Sequence, residues 1–259
     1  WKDRPIRFLF VGDEESGHCH GNAKELILKY AKGALCAFNM ETGLLSNAIC
    51  VGRKGTGLFH ITVHGVAAHS GNNWTQGRSA ITEMMYKIAE INELTNLAED
   101  TTVTVTTIQG GTVLNSVPPI CSCTVDLRYR KQEERERVID TIKVICENNT
   151  VDGTSCEWDY ADMISAFETN EETMALASFV DEVSQAYGFG AVDQVKLGGG
   201  SDASYITQAG VPCVCSMGAQ GEHNHSQAEY ATAESFLRRG KLLALCVYHS
   251  AAFAAKMNH

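Results

Sequence analysis

The apolar periodicity of this chain changes twice, and that double change constrains its fold more than any other feature. Up to about residue 50 the pattern alternates strand and helix: an apolar run Ile6 to Val11, a polar turn Gly12 to Gly17, a helical stretch Ala23 to Ala31 and a short strand near Leu35 to Phe38. Such an order implies a parallel sheet. Beyond Gly52 come a strand Leu58 to Val63, a helix Gly77 to Leu94, strands Thr101 to Ile108 and Ile120 to Arg128, a helix Gln132 to Asn148 and a last strand near Ser155 to Tyr160. This is the βαββαβ order of a ferredoxin-like unit. After about Ala166 the first rhythm returns, with a helix Glu171 to Tyr187, the loop Leu197 to Asp202, an apolar strand Val211 to Met217 and a helix from Thr232. The expectation is a small domain over 51–165 inserted into a larger α/β domain made of 1–50 and 166–259.

Within the inserted segment, Ile81, Met84, Met85, Ile88 and Ile91 form one stripe of the first helix, with Glu83, Lys87 and Glu90 elsewhere. Cys121, Cys123, Val125 and Leu127 alternate with Ser122, Thr124, Asp126 and Arg128, so one sheet face is apolar and the other polar and open. With 44% hydrophobic and 20% charged residues, the chain can bury a sizeable core. A net charge of −10 repels phosphate backbones and anionic lipid heads, so neither nucleic acid nor membrane is an expected partner. No apolar run reaches the roughly 20 residues of a membrane span. Ten cysteines spread from Cys19 to Cys246 fit reduced thiols of a cytoplasmic protein better than a disulfide framework. Cys121/Cys123 and Cys213/Cys215 each present two sulfurs on one strand face; a zinc thiolate site is conceivable, but free cysteine in an apolar strand behaves as a small hydrophobe. The chain starts at Trp1 with strand-like sequence, as a piece of something longer does.

Chemistry concentrates after strands. Asp13, Glu14 and Glu15 follow the first apolar run directly, at the strand edge where open α/β sheets bind ligands. Adjacent carboxylates repel, and a cation relieves them; a solvated acidic turn is the plainer alternative. The segment Gly218 to Tyr230, GAQGEHNHSQAEY, places His223 and His225 after another strand, so imidazole and carboxylate can converge on a metal such as zinc or cobalt. His18 and His20 flank Cys19 like a metal clip, yet read better as a surface turn, and His60 and His64 lie within a strand as structural residues. Gly198 to Asp202 lacks both the Walker lysine and the dinucleotide fingerprint.

Five blocks, FVGDEESG, GRKGTGLFHITVHGVAAHSG, GGTVLNSVPP followed by VDLRYR, GGGSDAS, and GAQGEHNHSQAEY, together resemble the dinuclear zinc metallopeptidases and amidohydrolases that include glutamate carboxypeptidase, aminoacylase, acetylornithine deacetylase and succinyl-diaminopimelate desuccinylase. The likeness is greatest to the glutamate carboxypeptidase branch. It implies an incomplete zinc-exopeptidase-like catalytic domain carrying an inserted ferredoxin-like dimerisation (lid) domain, and hydrolysis of an amide bond next to a free carboxylate in a small peptide or N-acyl amino acid. By this resemblance Glu14 is the general base that activates a metal-bound water, Glu15 and His225 are ligands of one metal, and Glu41 is the acidic ligand of the other. Two divalent ions are implied, zinc first, cobalt or manganese otherwise. His69 reaches across a homodimer to polarise the partner's scissile carbonyl, Asn115 and Arg128 bind the substrate's α-carboxylate, and Gly200 and Ser201 belong to an active-site loop whose amides face the substrate, with Ser201 or Asp202 capping the next helix.

The family's remaining ligands, a His-x-Asp motif and a bridging aspartate, are expected on strands before residue 1, because none of the nine histidines is followed two residues later by Asp. The present chain is therefore expected to hold zinc poorly and to hydrolyse little. A non-catalytic dimeric binding module of the same fold is the competing expectation, and the pairing of Glu14 with Glu15 speaks against it. Strand Leu58 to Val63 and the helix from Gly77 are expected as the dimer contact, since a ferredoxin-like sheet has open edges.

Overall fold

The computed structural model describes residues 4–257, which form two compact units, one of residues 4–54 with 167–257, the other of residues 55–166. The first unit opens with α1 (Ala23–Ala31), β1 (Ala37–Phe38) and β2 (Ile49–Arg53). The second contains β3 (Gly55–His64), β4 (Ala68–His69), α2 (Ala80–Asn92), β5 (Thr102–Gly110), β6 (Ser116–Val117), β7 (Ile120–Tyr129), α3 (Gln132–Glu147) and β8 (Ser155–Ile164). The first then resumes with α4 (Glu171–Ala186), β9 (Gln194–Leu197), α5 (Ala203–Gln208), β10 (Cys213–Val214), β11 (Gly221–Glu222), β12 (Tyr230–Ala231), α6 (Ala233–Tyr248) and α7 (Ser250–Met257). The change of unit falls at Lys54/Gly55 rather than at residue 51, because β2 runs on to Arg53 in register with Leu197 of β9. Among the described residues no helix is long and apolar enough to cross a membrane.

The second unit is an antiparallel sheet ordered β5-β7-β3-β8, the ferredoxin-like topology. Phe59, Ile61 and Val63 of β3 and Cys121, Cys123, Val125 and Leu127 of β7 point to one face and are buried against α2 and α3. Each such side chain contributes ~1.5–3 kcal/mol by leaving water. β3 is paired on both sides and β5 and β8 are the edges, so Leu58 to Val63 offers no open strand edge to a second copy, contrary to expectation.

Helix α2 is turned differently from the apolar stripe read in its sequence. Met85 is 62% exposed, while Glu83 and Lys87 are fully buried. The reason is a buried ion pair. Lys87 Nζ lies 3.0 Å from Glu83 and donates to the carbonyls of Ile145 and Asn148 at 2.7 and 2.9 Å, and Glu83 accepts from the amides of Thr150 and Val151 at 2.9 and 2.6 Å. The pair thus closes the end of α3 onto α2.

In the first unit β1 pairs with β10 and β2 with β9, both in parallel, and Cys50 bridges to Cys215. Alternation decides the layers: Ile49, Val51 and Val214 pack with Leu176, Phe179, Leu242 and Phe253 of the helices on one face, while Cys50, Cys213 and Cys215 pack with Phe167 and Ala203 on the other. The cysteines here serve as small hydrophobes, and all ten are thiols. Two expected strands are corrected. Ile6 to Val11 is not in a sheet among the described residues; no neighbouring strand takes its ladder bonds, and Phe8 and Phe10 are 73% and 92% exposed. Val211 to Met217 contracts to Cys213–Val214, because Ser216 adopts a left-handed φ of 59° that no strand continues through.

Lys87→Met should lower the unfolding free energy by about 3–5 kcal/mol, because it strands the buried Glu83 carboxylate. Denaturant unfolding of the chain measures this, and a loss below about 1 kcal/mol, the range of an exposed pair, would show that the pair carries no special weight.

Candidate active site

The acidic turn has a specific closure. The amide of His18 donates to the Asp13 carbonyl and that of Gly17 to the Glu14 carbonyl, both at 2.8 Å, which is the paired 6→1 and 5→2 bonding of a Schellman turn. Such a turn needs a left-handed residue at its fifth position, and Gly17 supplies it with φ 65°. The Asp13 carboxylate accepts from the Ser16 hydroxyl and from the His20 amide and ring, and these bonds hold it down at about 2. Cys19 and His20 place a donor atom each within 4.8 Å of one from Asp13, but Asp13 is already engaged in organising the turn. His18 is not a surface residue as its sequence suggests. It is 4% exposed and its Nε2 lies 2.5 Å from Asp202 Oδ1.

The turn carries Glu14 and Glu15. Glu41 follows β1, where the Gly218 amide donates to its carbonyl at 2.9 Å. A Cβ at Gly218 would sit 2.6 Å from that oxygen, so only glycine permits the approach. Asp202 lies in the loop after β9. That loop is held by Arg53 at the end of β2, whose guanidinium donates to the carbonyls of Gly199 and Gly200 at 3.3 and 3.2 Å and to the Ser216 hydroxyl at 3.2 Å. Ser201 is fully buried; its hydroxyl accepts from the Ala203 amide, at the start of α5, and lies 3.4 Å from the Cys215 sulfur. Its side chain therefore caps a helix and offers no face to a substrate, which corrects its expected binding role; Gly200, half-buried, keeps only its backbone for one.

The electrostatics follow from crowding. Burial, then the charges of Glu41, Asp202 and Glu15, push the Glu14 carboxyl up to about 7, with His18 drawing against them. Glu41 is likewise raised by burial and by Asp202 and Glu15, against Arg53 and His225. His225, not His223, meets the turn: its Nδ1 lies 3.5 Å from Glu15 Oε2, with both side chains exposed. The sequence-expected residues Glu14, Glu15, Glu41 and His225 are thus brought into one field. Carboxylate oxygens and an imidazole nitrogen, with mutual repulsion left over, fit a divalent cation. Glu15, Glu41 and His225 number fewer than the four ligands of one tetrahedral site, so they would hold one weakly by themselves.

The second unit carries its own cluster. β4 pairs with β6, Ala68 opposite Val117 and His69 opposite Ser116, and the Ser70 amide donates to the Asn115 carbonyl at 3.0 Å. His69 Nδ1 accepts from the amides of Gly71 and Asn72, each at 3.1 Å. That pairing places the ring proton on Nε2, which is exposed and free to donate to a carbonyl oxygen. Arg128 does not join this cluster. It sits near the far end of β7, bonded to Asp126 at 2.9 Å and Thr56 at 2.8 Å. The strand from Ile120 to Arg128 alone spans about 27 Å, so Asn115 and Arg128 of one chain cannot grip the same carboxylate.

Sequence reasoning assigned His18 to a surface turn and did not single out Arg53. A histidine after glycine gives no sign of burial, and an arginine closing a strand reads as solvated. For Glu14 the sign of the pH effect is definite. A carboxyl whose folded value exceeds the ordinary 4.5 contributes stability below 4.5 that is lost as pH rises through about 7. The metal-free chain should therefore melt at a lower temperature at pH 7.5 than at pH 5, and Glu14→Gln should flatten that slope; an identical slope in the variant would refute the assignment.

The M20 peptidase dimerisation domain matches residues 51–154. Carboxypeptidase G2 of a Pseudomonas strain is 25% identical over 90% of this chain, which spans 56% of that protein. A probable carboxypeptidase of Paracoccidioides brasiliensis is 34% identical over 53% of the chain and 34% of its own length. The chain thus spans about half or less of the relatives it matches. Among solved structures, aminopeptidase PepT of Bacillus cereus superposes with a TM-score of 0.71 at 21% identity, over 86% of this chain and 61% of its own. The Bacillus subtilis YXEP protein, a dinuclear metal binding peptidase from the M20 family, superposes with a TM-score of 0.65 at 18% identity, over 86% and 59%. Residues 51–154 thus match the peptidase dimerisation domain, the chain is similar in sequence to carboxypeptidase G2, and it shares the fold of these solved peptidases.

Proposed function

We propose that the protein carrying this chain is a metal-dependent hydrolase of amide bonds next to a free carboxylate, acting on small peptides or N-acyl amino acids, with glutamate carboxypeptidase as its nearest activity. The observation that carries the reading is the convergence of Glu14, Glu15, Glu41 and His225, from three distant stretches of sequence, on one cation-demanding field. Glu15 and His225 would hold one metal and Glu41 a second, zinc being the first choice for these donors. A bound divalent cation supplies Lewis acidity, bringing the pKa of water toward about 7. Glu14, with its carboxyl raised toward neutrality, takes the proton of the attacking water and returns it to the departing amine.

His69, with its proton on Nε2, donates to the carbonyl oxygen as charge develops there. Arg128 presents a planar guanidinium suited to the substrate carboxylate. Because Asn115 stands with His69 and apart from Arg128, a working site needs His69 and Asn115 from one copy and Arg128 from the other. The protein is accordingly a homodimer through the second unit. β5 offers an unpaired edge with Ile108 exposed, and α2 exposes Met85 and Tyr86 beside it. We place the protein in the cytoplasm on its thiol content.

In the full-length protein, Glu14→Gln should lower hydrolysis of N-acyl and C-terminal glutamate substrates by about 100- to 10,000-fold, the contribution of a positioned proton carrier. Metal content, measured by atomic emission, should stay at the wild-type level, whereas His225→Ala should reduce it. Equal metal loss in both variants would mean that base and ligand are confused. Mixing His69→Ala with Glu14→Gln subunits should restore part of the activity; no recovery would place His69 in its own chain's site.

A further inference from the structure

We propose that His18 is a positioning residue for Glu14, acting through its buried bond to Asp202; the kinetic part of this inference rests on the hydrolase reading above. His18 and Asp202 are 184 residues apart in sequence, 4% and 6% exposed, and joined at 2.5 Å. An ionised aspartate only accepts, so His18 donates from Nε2. Its Nδ1 is buried without a partner, and the ring stands edge-on to Tyr205 with centroids 5.9 Å apart. The bond to Asp202 is therefore what orients the ring, rather than solvent or a second polar contact.

The place of His18 in the turn gives that bond leverage. Among the described residues the other bonds of the acidic turn are internal to residues 13–20, apart from the exposed contact of Glu15 with His225. His18 holds φ 59°, a conformation that side-chain-bearing residues keep only where their surroundings impose it. It closes the Schellman turn with its amide while anchoring it with its ring. Asp202 is a firm anchor in turn. The carbonyls of Gly199 and Gly200 before it are held by Arg53, and Ser201 beside it is bonded to the start of α5. A continuous line of bonds thus runs from the end of β2 through the glycine loop to the peptide that carries Glu14. Loss of the His18 link frees the turn that carries the Glu14 carboxylate, and Arg53 and His18 act in series.

The test uses the full-length protein and three variants. His18→Asn tolerates the left-handed backbone but is too short to reach Asp202. His18→Gln keeps a nitrogen donor at the Nε2 position, and Asp202→Asn removes the acceptor charge. Amide hydrogen exchange by mass spectrometry should accelerate in His18→Asn over both residues 13–20 and 198–202. Its kcat should fall by about 10- to 100-fold with KM unchanged, as for other residues that orient a catalytic group. His18→Gln should restore most of both, and Asp202→Asn should repeat the loss. Unchanged exchange at 198–202 with full kcat in His18→Asn would overturn the inference. If the wild type hydrolyses nothing, the hydrolase reading fails and exchange alone decides: paired acceleration upholds the link, and acceleration confined to 13–20 overturns it.

Discussion

Repulsion among carboxylates organises the first unit. Glu14, Glu15, Glu41 and Asp202 arrive from an acidic turn, the end of β1 and the loop after β9, and Glu15, Glu41 and Asp202 each raise the proton affinity of Glu14. A fold gathers like charges only where something holds them against their repulsion. Here the restraints belong to the chain itself: the Schellman turn under Glu14, the amide of Gly218 on the Glu41 carbonyl, the Arg53 clamp on the glycine loop and the bond of His18 to Asp202. The remaining field is what a divalent ion would neutralise. Rigid framing and unspent charge together give a preorganised place for a cation, in which little has to move when one arrives.

The second unit solves a different problem. Its sheet keeps a polar face and two edges, and its chemistry sits on short pieces, β4 and β6, rather than on the long strands. Two backbone amides, of Gly71 and Asn72, fix the tautomer of His69. The strand from Ile120 to Arg128 covers roughly 27 Å, which sets Arg128 well apart from the His69 cluster.

Much of this was legible in the sequence, and the physical reason is periodicity. Helix α1 occupies the expected Ala23 to Ala31, and the strands and helices of the βαββαβ unit appear in the expected order, because amphipathic spacing reports which face is buried. Glu14, Glu15, Glu41 and His225 were found by motif and do converge. What escaped was pairing across long separations. Ile6 to Val11 has every local mark of a strand, yet strand formation depends on a neighbour that local sequence does not specify. Glu83 and Lys87 look like surface charges until the amides and carbonyls at the end of α3 receive them. His18 and Arg53 owe their roles to partners 184 and 146 residues away.

The bare run Ile6 to Val11 has a consequence for any experiment on this stretch of chain alone. Six residues of high β-propensity, with no charge except Arg7 and no proline after Pro5, form the kind of segment that stacks into cross-β assemblies when its backbone groups are unpaired. Two kinds of association are then to be kept apart: the proposed two-fold contact through the second unit, which would stop at two copies, and an open edge-to-edge pairing through this run, which does not stop. Sedimentation or light scattering of the isolated chain will mix a saturable equilibrium with progressive aggregation, and only the first carries information about the native assembly.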